Sequence, residues 1–377
     1  MPVDRVAPVI MVGPLPPPVH GASVMTAAIA DLLTDSGLAP IRCSTSPKAR
    51  SRGWRWHLSR ITAYLVAART ILFGPRDRVV YLSLSGGNGL AYDTVIALAA
   101  RLAGHRLVLH HHSFDYVDRK RLLFAALLRA APRDHVHVVL CDAMADGLQQ
   151  RYGRPIRAIT VSNAGFLPPA STAASPRRRP LRRIGFLSNL SAEKGLDRFL
   201  DLAAHFAARR DLPCDLAFEL AGPCADDGAR QMIEAKLAAG VNLHHHGPLF
   251  GADKAAFYDR IDAFVFLSRY ANEAEPLVVY EAMAAGLPVI TTMRGCLCEM
   301  LRDTGATLLD RTGSDIGTAV RQIESWVADP ERHAAASAAV LARLAGLRAE
   351  ANAQRTALIA AFDRARPAVA AIAAAAG

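Results

Sequence analysis

Asn272-Glu273-Ala274-Glu275-Pro276-Leu277-Val278-Val279-Tyr280-Glu281-Ala282-Met283-Ala284-Ala285-Gly286-Leu287-Pro288-Val289-Ile290 reads as loop, helix, turn and strand. The residues before it, Ala263 to Ser268, form an apolar run of strand length, so a helix starts where a strand has just ended. Pro276 suits the first helical position, where a missing N–H costs nothing. Gly286 suits a left-handed stop, Pro288 bars further helix, and Val289 to Thr292 supply the next strand. The stretch is therefore a parallel βαβ unit, which makes the chain an α/β protein.

In such a unit the free N–H groups at the helix start, those of Leu277 and Val278, point out at the carboxyl end of the sheet and suit a phosphate. Glu273 lies on the loop at the helix mouth, and Glu281 lies more than one turn inside. A carboxylate at the second position suits two vicinal hydroxyls, as on a ribose; the competing reading is a local charge network. The run resembles the Glu-x7-Glu signature of retaining glycosyltransferases of the GT-B fold, family 4. It keeps Glu273, Glu281, Ala282, Met283, Ala284, Gly286, Pro288 and Val289, and departs at Ala274, Glu275 and Pro276, where the family has Gly-Phe-Gly. Losing both glycines narrows how closely backbone approaches a donor sugar.

At 377 residues the chain is long enough for two domains, and 51% apolar with 21% charged residues is ordinary for a globular protein. No apolar run approaches the ~20 residues that span a bilayer, so a cytoplasmic or peripheral protein is expected. The resemblance, with the Trp/Arg patch described below, implies the inner face of the cell membrane for a peripheral one. Cys43, Cys141, Cys214, Cys224, Cys296 and Cys298 show no metal-binding spacing and are expected as buried free thiols. Residues 1–180 hold 23 Lys+Arg and 10 Asp without Glu, a net +13, and the remaining 21 Lys+Arg and 24 Asp+Glu give −3. A basic first half points to an anionic partner, a membrane surface or nucleic acid, unless it reflects an arginine-rich genome. No known nucleic-acid motif interleaves its aromatic and basic residues, so nucleic acid is the weaker reading.

Residues 36–76 contain no acid. Arg50, Arg52, Trp54, Arg55 and Trp56 there form a candidate patch for an anionic membrane. The following Leu58, Ile61, Leu65, Ala68 and Leu72 recur at helical spacing and serve either such a patch or the domain core.

The chain opens with a strand at Val9 to Gly13, a Pro-rich loop containing Gly21, and a helix from about Ser23 to Leu33. In the resemblance Gly21 matches a loop near the donor phosphates. A strand from Arg106 ends in His110, His111 and His112; alternation puts His110 and His112 on one face and His111 on the other. No carboxylate sits at ligand spacing, and neither a metal nor another cofactor is expected. The resemblance gives His112 the place of a histidine that faces the donor sugar, either ordering it or assisting acceptor deprotonation.

The Pro/Ala/Ser/Arg-rich run 169–180 has the composition of a linker. It separates a first Rossmann-like domain, 1–168, from a second, 181–355, with 356–377 as a helix returning to the first. Ser188 to Leu196 then resembles the family's Gly-Arg-Leu-x-x-Glu-Lys-Gly, keeping Glu193, Lys194 and Gly195 but placing Asn189 where the family has arginine. Lys194 at a helix mouth suits a diphosphate, against the alternative of a pair with Glu193, and Arg269 is a candidate for the missing cation.

The resemblance implies a GT-B enzyme with two Rossmann-like domains facing across a cleft. It implies hexosyl transfer from a nucleotide sugar, with retention, to a glycan or lipid-linked acceptor in cell-surface polysaccharide assembly. Glu273 and His112 would serve the chemistry, and Gly21, Lys194, Arg269, Leu277, Val278 and Glu281 the donor. The alternatives are another GT-B enzyme, an epimerase or phosphorylase, and a non-catalytic basic protein that binds lipid or nucleic acid.

Overall fold

The computed structural model describes residues 9–47, 53–74, 78–153, 155–167, 175–209, 211–313 and 315–362. The chain divides into two compact units, Met1–Phe166 with Ala349–Gly377, and Leu167–Arg348.

In the first unit the order is β1 (Val9–Gly13), α1 (Gly21–Asp35), β2 (Ile41–Ser44), α2 (Trp54–Phe73), β3 (Val79–Ser83), α3 (Leu90–Leu102), β4 (Arg106–His110), α4 (Asp115–Asp118), α5 (Leu122–Ala130), β5 (Val136–Val139), α6 (Asp142–Tyr152) and β6 (Ala158–Thr160). The six strands are parallel in the order β2-β1-β3-β4-β5-β6. Val9 pairs with Val79 and Met11 with Tyr81, and every residue of β1 and β3 is buried. Continuous apolar strands are what a parallel sheet covered on both faces requires. Val9, Met11, Val79, Tyr81 and Val108 pack with Ile29 and Leu33 of α1 on one face. The alternate residues lie under a layer in which α2 packs on α3 and α3 on α5.

One strand goes unmarked by the sequence and two local expectations change. The short strand β2 lies on the sheet edge, mostly exposed, without the apolar alternation that betrays a strand. Helix α1 starts at Gly21 rather than Ser23, because His20 caps it: its Nδ1 accepts from the Ser23 N–H at 3.3 Å, and Ser23 Oγ accepts from the His20 N–H at 3.0 Å. The expected α2 stripe splits, since Ala68 is buried with Tyr64, Ala67 and Ile71 while Leu58, Ile61, Leu65 and Leu72 face outward.

The second unit runs β7 (Arg183–Leu187), α7 (Leu196–Ala207), β8 (Ala217–Ala221), α8 (Asp227–Ala238), β9 (Leu243–His245), α9 (Gly251–Arg260), β10 (Ala263–Phe266), α10 (Leu277–Ala284), β11 (Val289–Thr292), α11 (Leu297–Met300), β12 (Thr307–Leu309), α12 (Ile316–Ala328) and α13 (Pro330–Phe362). Its parallel sheet has the order β12-β11-β10-β7-β8-β9. The order reverses between β7 and β10, and the loops leaving their carboxyl ends flank the crevice where doubly wound sheets bind ligands.

The second half of the expected linker is fastened to this unit, and its residues 169–174 lie outside the described residues. The Arg177 N–H donates to Ser337 Oγ at 2.7 Å, and its guanidinium donates to the carbonyls of Ala285, Asp259 and Tyr258. Arg179 binds the Asp262 carboxylate and the Asp259 and Ile261 carbonyls. Among the cysteines, Cys43, Cys214 and Cys224 are partly exposed free thiols and Cys298 is an exposed one, whereas Cys141 and Cys296 are not free.

Helix α13 contributes its end to the first unit, where Leu358 and Phe362 are fully buried in the cluster around β1 and α1. Leu358→Ala is therefore expected to destabilise the first unit by about 2–5 kcal/mol. The measurement is urea unfolding followed by Trp56 and Trp54 fluorescence, with the Trp326 signal of the second unit as internal control.

Candidate active site

The switch point of the second sheet is built by two glycines. Gly195 has φ +93°, and a Cβ there would lie 2.3 Å from the Leu267 carbonyl oxygen at the end of β10. Gly295 has φ +54°, and its Cβ would meet the Ala274 and Glu273 carbonyls at 2.2 and 2.7 Å. Left-handed backbone and absent side chains let three loops close on one another. The Cys296 N–H donates to the Ala274 carbonyl at 2.8 Å and the Arg294 guanidinium to the Tyr270 carbonyl at 3.0 Å, which fixes the segment before α10.

Lys194 and Glu273 come together here. Lys194 Nζ donates to Glu273 Oε2 at 2.7 Å, and Ser268 Oγ donates to the same oxygen at 2.7 Å. Glu273 is 7% exposed, while Lys194 Nζ lies 4.5 Å from the Tyr270 ring centroid and remains more open. The partner of Lys194 is thus Glu273 and not Glu193. Glu275, to which the sequence assigned nothing, is buried and accepts from Tyr280 OH at 2.5 Å.

Pro276 is extended (φ −70°, ψ 122°) and caps α10, so the helix begins at Leu277, one residue later than expected. The N–H groups of Leu277 and Val278 lie in its first turn, where α-helices leave donors free. Gly286 takes the expected left-handed stop at φ +70°. Glu281, inside α10, receives Lys254 Nζ at 2.5 Å and Tyr258 OH at 2.9 Å. Both partners stand on α9, a separate segment, and no local signal marks them. Burial, with the Glu281 carboxylate beside it, pushes Tyr258 well above the ordinary tyrosine range, so it stays a donor.

Arg269 is engaged within the second unit. One guanidinium nitrogen donates to both Asp197 oxygens at 3.0 and 2.9 Å and to the Ala192 carbonyl at 2.7 Å. The Arg269 N–H also donates to the Glu193 carbonyl at 2.7 Å. Arg269 braces the loop that carries Lys194, and its charge is met by Asp197.

In the first unit Gly21 is exposed, with open space where a Cβ would stand. Strand β4 ends at His110, and the three histidines divide as alternation requires. The His110 and His112 rings lie 4.1 Å apart, whereas His111 Nε2 bonds His137 Nδ1 at 2.8 Å and His111 Nδ1 bonds Tyr116 OH at 3.1 Å. His112 Nε2 is buried without a hydrogen-bond partner among the described residues. Burial first, then the neighbouring His20, pushes His112 down to about 4, so it is neutral at pH 7. Burial also lowers His110 and His111 well below the ordinary range and His137 to about 3. Among the described residues no group of three or more His, Cys, Asp or Glu is placed to hold a metal ion.

Residues 172–341 match the sequence profile of the family described as Glycosyl transferases group 1. Curated protein sequences give no match. The fold is similar to that of Anabaena HepE in complex with UDP-glucose, with a TM-score of 0.67 at 15% identity over 94% of this chain and 99% of that one. OtsA without ligand is similar at a TM-score of 0.65 and 12% identity, over 96% of this chain and 100% of that one. The pneumococcal O-GlcNAc transferase GtfA in complex with UDP and GlcNAc is similar at a TM-score of 0.54 and 15% identity, over 75% of this chain and 56% of that one. The fold is accordingly GT-B, as expected.

Two outcomes follow from this geometry. Gly195→Ala and Gly295→Ala should each destabilise the second unit by at least about 2 kcal/mol in urea unfolding, since each adds strain and a clash with backbone oxygen. The histidines give the first unit an acid limit. The unfolded state takes up protons below about pH 6.5 while the folded state refuses them, so stability falls as pH drops through 6.5 toward 4. Each histidine contributes a slope of up to about 1.4 kcal/mol per pH unit. In urea titrations at successive pH values, His112→Gln should lower that slope by one proton.

Proposed function

We propose that this chain is a retaining glycosyltransferase that moves a hexosyl group from a uridine diphosphate sugar to a glycan or lipid-linked acceptor. The observation that carries the reading is the joint placement of the Lys194–Glu273 pair and the Lys254–Glu281–Tyr258 triad around α10, within the segment that matches the group 1 profile. The bond from the anomeric carbon to the diphosphate breaks, the acceptor oxygen bonds the same face, and the hydroxyl proton leaves with the diphosphate. Charge grows on the diphosphate as this happens, and stabilising it is the main task. Lys194 and the first amides of α10, those of Leu277 and Val278, meet that charge. Glu281, held by Lys254 and Tyr258, keeps lone pairs for the two ribose hydroxyls.

Glu273 orients the sugar hydroxyls and screens positive charge on the sugar. His112, neutral and with Nε2 unpartnered, orders sugar and acceptor. Gly21 belongs, on this reading, to the loop that meets the donor phosphates. On this reading no metal or other cofactor takes part. Uridine is chosen because HepE and GtfA are bound to UDP-glucose and to UDP. The setting we infer is cell-surface polysaccharide assembly at the cytoplasmic face of the membrane; the exposure of Trp54 and Arg55 supports it. Arg50 and Arg52 lie outside the described residues.

Calorimetry with UDP is the test. Wild type should bind, Glu281→Ala and Lys254→Ala should weaken binding about tenfold or more, and Lys194→Ala should lower transfer by at least about a hundredfold. Transfer should persist in the presence of a chelator. No binding of any nucleoside diphosphate would sink the reading, and release of sugar products without an acceptor glycoside would turn it toward an epimerase or phosphorylase.

A further inference from the structure

The outer surface of the α2, α3 and α5 layer is unlike the rest of the molecule. On α2, Trp54, Leu58, Ile61, Leu65 and Leu72 share one stripe and are 41–74% exposed, while a different side of the helix packs on the core. On α3, Val95, Leu98 and Leu102 repeat the pattern at 45–71% exposure, and on α5 Leu122 is 82% exposed. Because α2 packs on α3 and α3 on α5, the stripes join into one apolar face. Exposed apolar groups standing singly are ordinary; a contiguous face is a binding surface.

The charged residues decide what it binds. The exposed cations on these helices are Arg55, Arg69, Arg101 and Arg129. Their single carboxylate, Asp93, is fully buried and bonded to Tyr64 and Ser85, so the face shows no acid at all. Trp56, expected to join such a patch, is instead turned to Arg60, whose guanidinium lies 5.1 Å from its ring.

We infer that this three-helix face docks the first unit on a bilayer containing anionic lipid. Leucines and Trp54 enter the headgroup boundary while the arginines meet lipid phosphates. A second copy of the chain fits worse, because a symmetric contact would set the arginines of one face against those of the other with no carboxylate between them. No described helix is long and apolar enough to cross a membrane, so the contact is peripheral.

The experiment is sedimentation of the full chain with vesicles of phosphatidylcholine, with and without phosphatidylglycerol. Pelleting with the anionic vesicles at low salt is expected, with less on plain phosphatidylcholine. Leu58→Asp combined with Leu98→Asp should lower partitioning by roughly tenfold or more. The urea midpoint and UDP binding should stay unchanged, which separates this surface from the donor site. The inference is overturned if the wild type stays in the supernatant, if the double variant pellets equally, or if lipid-free chain is a dimer that the same substitutions separate.

Discussion

Two stretches of backbone meet over the carboxyl edge of the second sheet only because residues 195 and 295 carry no Cβ. That steric allowance sets the distance between the Lys194 loop and the Glu273 loop, and the ion pair follows from it. A buried carboxylate costs several kcal/mol to desolvate, and its attraction to a lysine seldom returns more than that. The pair is therefore better understood as a positioning device than as a source of stability. Glu273 takes one of the three ammonium protons and Ser268 adds a second donor to the same oxygen.

The strand, helix and turn between Ala263 and Thr292 were legible because each signal there is local: apolar run, proline, glycine, proline. Lys194 was legible for the same reason, since a glycine and a helix mouth mark it. Its partner was not, because Glu193 is adjacent in sequence and Glu273 is distant. Lys254 and Tyr258 stayed hidden for that reason too, as only tertiary packing brings α9 against α10. Arg269 has a hidden partner of the same kind. A cation beside a strand end suits a phosphate by position alone, yet Asp197 lies close enough to take it. Composition does not reveal the contacts of Arg177 and Arg179, whose guanidinium groups bond carbonyls of the second unit. The edge strand at Ile41 failed to register because an exposed edge has no need of apolar alternation.

The histidines of the first unit illustrate how burial changes a residue's chemistry. The close approach of His110 to His112, and the stack of His111 on His137, leave no room for charge on any member. Protonating one would raise the cost of protonating the next, so the group stays neutral far below the usual range. His110, His111 and His137 then act as hydrogen-bonding groups, and not as carriers of positive charge.

Helix α13 runs without interruption from Pro330 to Phe362 and yields its last residues to the core around β1. A chain made from its N-terminus would ordinarily complete its first unit early. Here the strands and helices before Phe166 emerge with a hole in their core, and Leu358 and Phe362 arrive only after the second unit has been translated. The first unit of this protein cannot become fully native until Leu358 and Phe362 have left the ribosome.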